Sequence, residues 1–266
     1  MADNPLFPLT AIIALLPASL LSLRRDYQRD VAFWAVLAVA GAGPLAWVLV
    51  HMAGAWRADF STSLWITVAA TMVLFMVVAA LTDHGWRLTP LLVPYMVVLA
   101  ILATLWRQTA LDLDVPTVTG AWTGIHIVVS VVTYGLLTIA AVGALAAAMQ
   151  EGALKRKQRT ALTGLLPPVV ECDRLLVRLL GLSEIVLALG LATGIALSIS
   201  DGGGAFNFDH KTVLTVAAFV VIGLLLLVHY RSGLRGRKAA RLVLVAYLLV
   251  TLGYPGVKFV TDVLMA

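Results

Sequence analysis

Among the side chains able to do chemistry in this chain, His126 has the most suggestive setting. It lies in WTGIHIVVSVVTYGLLTIAAVGALAAAMQE, residues 122 to 151, where Trp122, His126, Ser130 and Tyr134 recur at four-residue spacing. On an α-helix that spacing stacks the four along one face, and the Val, Ile, Leu, Ala and Gly between them suit lipid or apolar neighbours. An imidazole so placed either satisfies a carbonyl or a facing side chain, or ligates a metal or a haem iron. Both readings stand on the helix alone.

A second histidine follows the glycine-rich segment SDGGGAFNFDHK, which ends in Phe206, Phe208, Asp209, His210 and Lys211. Three glycines give turn freedom and let backbone approach a ligand closely. The Gly-Lys-Ser/Thr order of a phosphate loop is missing. If His210 starts a helix on the same side of the membrane as His126, two neutral imidazoles beside two Phe rings provide axial ligands and an apolar wall for a haem, with Asp209 able to orient a ring nitrogen. Equally, Asp209 and His210 serve as a helix cap that hydrogen-bonds within itself. No Ser-His-Asp set, carboxylate pair or cysteine cluster is apparent, so an enzyme is not expected.

The elements that position these residues are membrane spans. The chain of 266 residues is 61% hydrophobic and 12% charged, with a mean hydropathy of +0.97, too apolar for a water-soluble domain. Its net charge of +5 sits at helix ends, where it reads as topology and not as a nucleic-acid surface. Eight apolar runs reach spanning length, roughly 5 to 23, 31 to 54, 62 to 82, 89 to 106, 122 to 147, 180 to 200, 212 to 230 and 241 to 264. The first is read as a retained span, because it has no positive charge before it and three Arg soon after it. An all-α bundle of eight transmembrane helices with both termini outside puts 15 of the 19 Lys and Arg inside and leaves Arg57, Arg107, Lys211 and Lys258 outside. The whole of 1–266 is expected to be a single integral membrane domain, with four less diagnostic spans in 1–110.

Between the fifth and sixth spans, the Leu166-Pro167-Pro168 break and VVECDRLLVRLLG predict a helix lying on the inner surface, with the lone Cys172 in a charged loop. Glu171, Asp173, Arg174 and Arg178 read as a solvated face with local ion pairs. Glu184 is expected to pair with Arg178, to sit in a lipid-facing water defect or to take part in function. His51 and His84 lie at span ends and need no functional role.

Several of these residues, taken together, resemble the cytochrome c assembly family of haem-handling membrane proteins, the CcsA/ResC group, and above all its short HemX/YpjD-type branch. The resemblance covers residues 120–266 and rests on Trp122, His126 and Tyr134, on Gln150-Glu151, on Leu166-Pro167-Pro168, and on FDHKT, HYR and GYPGVKF at 208–212, 229–231 and 253–259. It implies a multi-pass protein of the bacterial cytoplasmic membrane that binds a b-type haem near the outer face, associated with cytochrome c maturation or haem homeostasis. The implied haem-binding set is His126, His210, His229, Trp122, Tyr134, Phe206, Phe208 and Asp209, with His126 and His210 on the iron. His229 matches the family histidine at the inner end of the helix after the tryptophan-rich segment. Phe206 and Phe208 stand where that segment has Trp, His210 where the family has Pro, and the second outer histidine has no counterpart near Met265. The alternative is a scaffold or regulator that keeps the fold without haem and meets a membrane or cytoplasmic protein partner through its basic inner loops.

Overall fold

The computed structural model describes residues 6–24, 28–52, 59–106, 121–200, 210–233 and 236–260. Every long element among them is a helix: α1 (Leu6–Leu21), α2 (Val31–Met52), α3 (Phe60–Leu81), α4 (Thr89–Leu105), α5 (Ala121–Arg156), the short α6 (Ala161–Leu165), α7 (Val169–Ser200), α8 (His210–Ser232) and α9 (Arg237–Thr251). A π-helical stretch, Leu252–Gly256, and the short α10 (Val257–Phe259) continue α9. Seven of these helices among the described residues are long and apolar enough to cross a membrane; α1 is apolar but shorter. In lipid, backbone polar groups have no water to bond, so helices that satisfy them internally are the expected solution.

Close packing is achieved through small residues. Gly43 of α2 lies against α1 so tightly that a Cβ there would be 2.6 Å from the Ala14 Cβ, and Gly135 of α5 has the same relation to the Leu74 side chain of α3 at 2.7 Å. Between α2 and α3, Trp47 stacks on Trp65 at 5.0 Å and on His51 at 4.2 Å. His51 is thus packed on an indole. At the start of α3 the Asp59 carboxylate accepts the Thr62 N–H at 2.9 Å, capping the helix.

The C-terminal half is built on a hairpin of α5 and α7, with α8 and α9 packed beside it. α5 has 36 residues and is about 54 Å long, against a hydrocarbon core of about 30 Å, so it extends well past the bilayer. That extension is at the end of the bundle carrying Lys155, Arg156, Lys157, Arg159, Arg237 and Lys238, here called the basic end. There Gln150 gives its side-chain amide to the carbonyls of Thr163, Leu166 and Pro167 at 2.9, 3.2 and 3.0 Å. The neighbouring Glu151 accepts the Arg237 backbone N–H at 2.7 Å, a carboxylate placed at the N-terminus of α9. Gly236 adopts φ +69° and passes so close that a Cβ would be 2.6 Å from Glu151 Oε2. The Gln150-Glu151 pair therefore holds the two basic-end connections of the C-terminal half, α5 to α7 and α8 to α9.

Three expectations need correction. Residues 169–179 do not form a separate surface helix: they are the first turns of one continuous α7, which starts directly after Pro167 and Pro168. Cys172 is buried in that helix and its S–H points to the Pro167 carbonyl at 3.5 Å. Glu184 does not pair with Arg178, because six helical positions put the two about 120° apart around the axis. Its Oε1 sits against Gly223 of α8, and its buried Oε2 has no hydrogen-bond partner. The Glu171 to Arg174 ion pair expected on the charged face is present at 2.8 Å.

Candidate functional site

At the end of the bundle opposite the basic end, α5, α7, α8, α9 and the π-helical stretch enclose a cavity of about 370 Å³, in the size range of small-molecule and cofactor pockets. α5 contributes His126, Ser130, Thr133 and Tyr134, so three of the four residues stacked by sequence spacing face one space. Trp122 does not: it is one turn farther out and 57% exposed. α7 supplies Leu187, Leu191, Ile195 and Leu197, and α8 and α9 add Val216 and Val250, so much of the wall is apolar. Hydroxyls of Ser198, Thr212, Thr215 and Tyr254 interrupt it.

His126 is held by a short chain of hydrogen bonds. Its Nδ1 lies 3.1 Å from Thr193 Oγ1, and the Thr193 hydroxyl donates to the Gly190 carbonyl at 3.0 Å. With the hydroxyl proton on that carbonyl, the oxygen accepts from the His126 Nδ1–H. Nε2 then keeps its lone pair. This is the arrangement by which a partner on one ring nitrogen fixes the other as a metal ligand. Gly194, one turn along α7, makes room for the ring: a Cβ there would be 3.1 Å from His126 Cε1. The Gly190-x-x-x-Gly194 pair thus lets α7 approach α5.

The floor of the cavity is a hydroxyl cluster. Tyr134, 2% exposed, has its OH 3.1 Å from the Tyr247 OH and 3.2 Å from Thr251 Oγ1. Tyr247 in turn meets Tyr95 of α4 at 2.7 Å and Thr138 at 3.3 Å. Tyr254, on the π-helical stretch, packs its ring on Tyr134 at 6.4 Å and hydrogen-bonds Ser63 of α3. The cluster ties the cavity to the N-terminal helices through groups that each have a partner, as buried hydroxyls require.

The remaining residues singled out by sequence are distributed as follows. His210 opens α8, two residues before the cavity-lining Thr212, but its side chain lies outside the described residues, as do Phe206, Phe208, Asp209 and Met265. His229 is 19 positions farther along the same helix, about 28 Å away by helical rise. It lines a separate small hollow at the basic end with Asp173, Leu176 and Leu226, edge-on to Tyr230. The structure therefore separates His229 from the His126 cavity. Among the described residues no three His, Cys, Asp or Glu side chains converge on a common point. Thr193, Gly190, Gly194, Thr215 and Tyr247 are not expected from sequence, and Tyr254 enters only within the GYPGVKF motif; Gly190 and Gly194, at small-xxx-small spacing opposite a histidine helix, are the available signal.

A helical membrane bundle with a histidine lining a largely apolar cavity defines the class: a multi-pass membrane protein with a candidate ligand chamber between its helices. Comparison with known proteins makes this more specific. The sequence pattern of the family described as Cytochrome C assembly protein matches residues 31–265, and the chain belongs to that family. It is 53% identical over 270 residues, all of both chains, to an Azospirillum brasilense protein called "Uncharacterized 28.8 kDa protein in nifR3-like 5'region". It is also 28% identical over 189 residues to the "Inner membrane protein YpjD" of Escherichia coli K12, covering 71% of this chain and 70% of that protein. The family and the short branch indicated by the sequence motifs are thereby borne out.

Proposed function

We propose that the protein handles haem in the bacterial cytoplasmic membrane, in cytochrome c maturation or haem homeostasis, and that the His126 cavity is where haem is held. In this reading the membrane is crossed eight times, α1 included, with both termini and the cavity on the outer side. The observation that carries it is the chain from His126 Nδ1 through Thr193 to the Gly190 carbonyl, which would keep the Nε2 lone pair of a cavity-lining imidazole available. The residues present fit the group: His126 would ligate the iron, the Leu and Val wall would pack on the porphyrin, and hydroxyls of Ser198, Thr212 and Thr215 would bond its propionates. A bound b-type haem would supply the iron porphyrin itself. The protein would bind, orient and release it, with no covalent step of its own, and His210 at the start of α8 would offer the second imidazole.

A second reading is a scaffold or regulator acting through a protein partner at the basic end, favoured by how firmly Gln150 and Glu151 organise the two connections there. A haemin titration of purified protein, followed by the Soret band, distinguishes the two. The haem reading expects a saturable low-spin spectrum, lost or turned high-spin in His126→Ala and unchanged in His51→Ala and His84→Ala. A protein that is folded and gives no such spectrum leaves the scaffold reading.

A further inference from the structure

At the basic end, the turn between α3 and α4 and the first turns of α7 enclose a cleft of about 160 Å³, lined by Thr82, Asp83, His84, Glu171, Arg174 and Arg178. It is separate from the His126 cavity. Glu171 and Arg174 neutralise each other at 2.8 Å. Asp83 and Arg178 do not pair, either with each other or with another charged group among the described residues. Asp83 is restrained by its turn: its carbonyl accepts the Trp86 indole N–H at 3.0 Å, and the Gly85 N–H is bound to the Thr82 hydroxyl at 3.1 Å. Two opposite charges thus face one small space without closing on each other. A bare anion there would meet Asp83, and a bare cation would meet Arg178. A group that carries both charges meets neither conflict.

What lies along the helices beside the cleft indicates the source of such a group. Leu81 is at the rim, 81% exposed, with Val77 one turn back along α3 at 49%. On α7, Leu182, Ile185 and Leu189 follow Arg178 at spacings of four, three and four, so they share its face, and they are 49, 63 and 54% exposed. Two apolar lanes therefore run away from a zwitterion-shaped cleft towards the membrane interior, as the chains of a lipid would.

We propose that this cleft binds the headgroup of a phosphatidylethanolamine-class lipid, with its ammonium on Asp83, its phosphate on Arg178 and His84, and its acyl chains along α3 and α7. A primary ammonium donates charge-assisted hydrogen bonds to a carboxylate, which a trimethylammonium cannot do. Because the two walls belong to the N-terminal helices and to the α5–α7 hairpin, the lipid would bridge the two halves of the bundle.

Native mass spectrometry of delipidated full-length protein in detergent, titrated with lipids of identical acyl chains, tests this. Phosphatidylethanolamine should bind about tenfold more tightly than phosphatidylcholine, the size of one charge-assisted hydrogen bond. Asp83→Asn should remove that preference and Asp83→Glu should restore it; Arg178→Gln should weaken both lipids about tenfold, and Arg241→Gln on α9 should change neither. Equal binding of the two lipids by the unaltered protein overturns the proposal, and that comparison decides the matter if a variant fails to fold. Retained preference in folded Asp83→Asn overturns it too. Displacement of the lipid by soluble phosphoethanolamine at matching concentration would assign the cleft to a free metabolite and overturn the lipid assignment.

Discussion

Thr193→Val is the most direct probe of the His126 site. Valine has nearly the shape of threonine, so packing of α7 on α5 is kept while Oγ1 is lost. Two hydrogen bonds disappear together, the 3.1 Å link to His126 Nδ1 and the 3.0 Å link to the Gly190 carbonyl. The Nδ1–H tautomer loses the bond that selects it, worth about 1 kcal/mol, which is roughly a fivefold change in the ratio of the two neutral forms. In protein labelled with ¹⁵N-histidine, the His126 resonances should shift from an Nδ1–H towards an Nε2–H pattern. If haem is ligated through Nε2, its affinity should fall about 10- to 100-fold, the usual effect of removing an outer partner of a histidine ligand, and Thr193→Ser should restore it. An unchanged tautomer ratio in folded Thr193→Val would refute the assignment of the proton to Nδ1. A shifted ratio with unchanged haem affinity in Thr193→Val would refute ligation through that ring.

Tyr247→Phe should cost more stability than Tyr134→Phe, because the Tyr247 hydroxyl meets Tyr95, Tyr134 and Thr138 whereas the Tyr134 hydroxyl meets only Tyr247 and Thr251 among the described residues; a loss of about 2 kcal/mol is expected for the former, read as a lower melting temperature in detergent. Gln150→Leu removes the donor shared by three carbonyls, and a loss of about 2 kcal/mol should appear with faster proteolysis between Lys155 and Pro168. Cysteine placed at Gly203 should be labelled by an impermeant reagent from outside and one at Gln158 should not; the buried Cys172 should give no background, and reversed labelling would invert the proposed topology.

Hydropathy alone made most of the bundle legible, because a membrane leaves a chain few other ways to satisfy its backbone. The face carrying His126, Ser130 and Tyr134 was legible too, since four-residue spacing is a property of one helix. The opposite wall was not: which residues of α7 stand across from His126 depends on the register of two helices, and nothing local to Thr193 or Gly194 states it. The same gap hides Tyr247 from Tyr134, 113 positions apart. Trp122 shares the spacing but lies beyond the point where the cavity closes. The start of α7 is hidden from sequence for a different reason. A search for uninterrupted apolar residues begins after Arg178, whereas the helix begins where the Pro168 ring permits it, and its charged first turns lie at the basic end. Gln150 and Glu151 were noticed as a motif, yet their role depends on Thr163, Pro167 and Arg237, which only the fold brings near.

The length of α5 makes it a lever. It runs unbroken from Ala121 to Arg156, and between its two ends Tyr134 ties it to the hydroxyl cluster. His126 lies eight residues to one side of that point and Glu151 seventeen to the other, about 12 and 26 Å along the axis. A tilt about Tyr134 that shifts the cavity end by about 1 Å moves Glu151 by about 2 Å in the opposite sense. Glu151 holds the N-terminus of α9, and α9 carries Val250 back to the cavity wall. A tilt of that kind on filling the chamber would displace the basic end about twice as far as the cavity end.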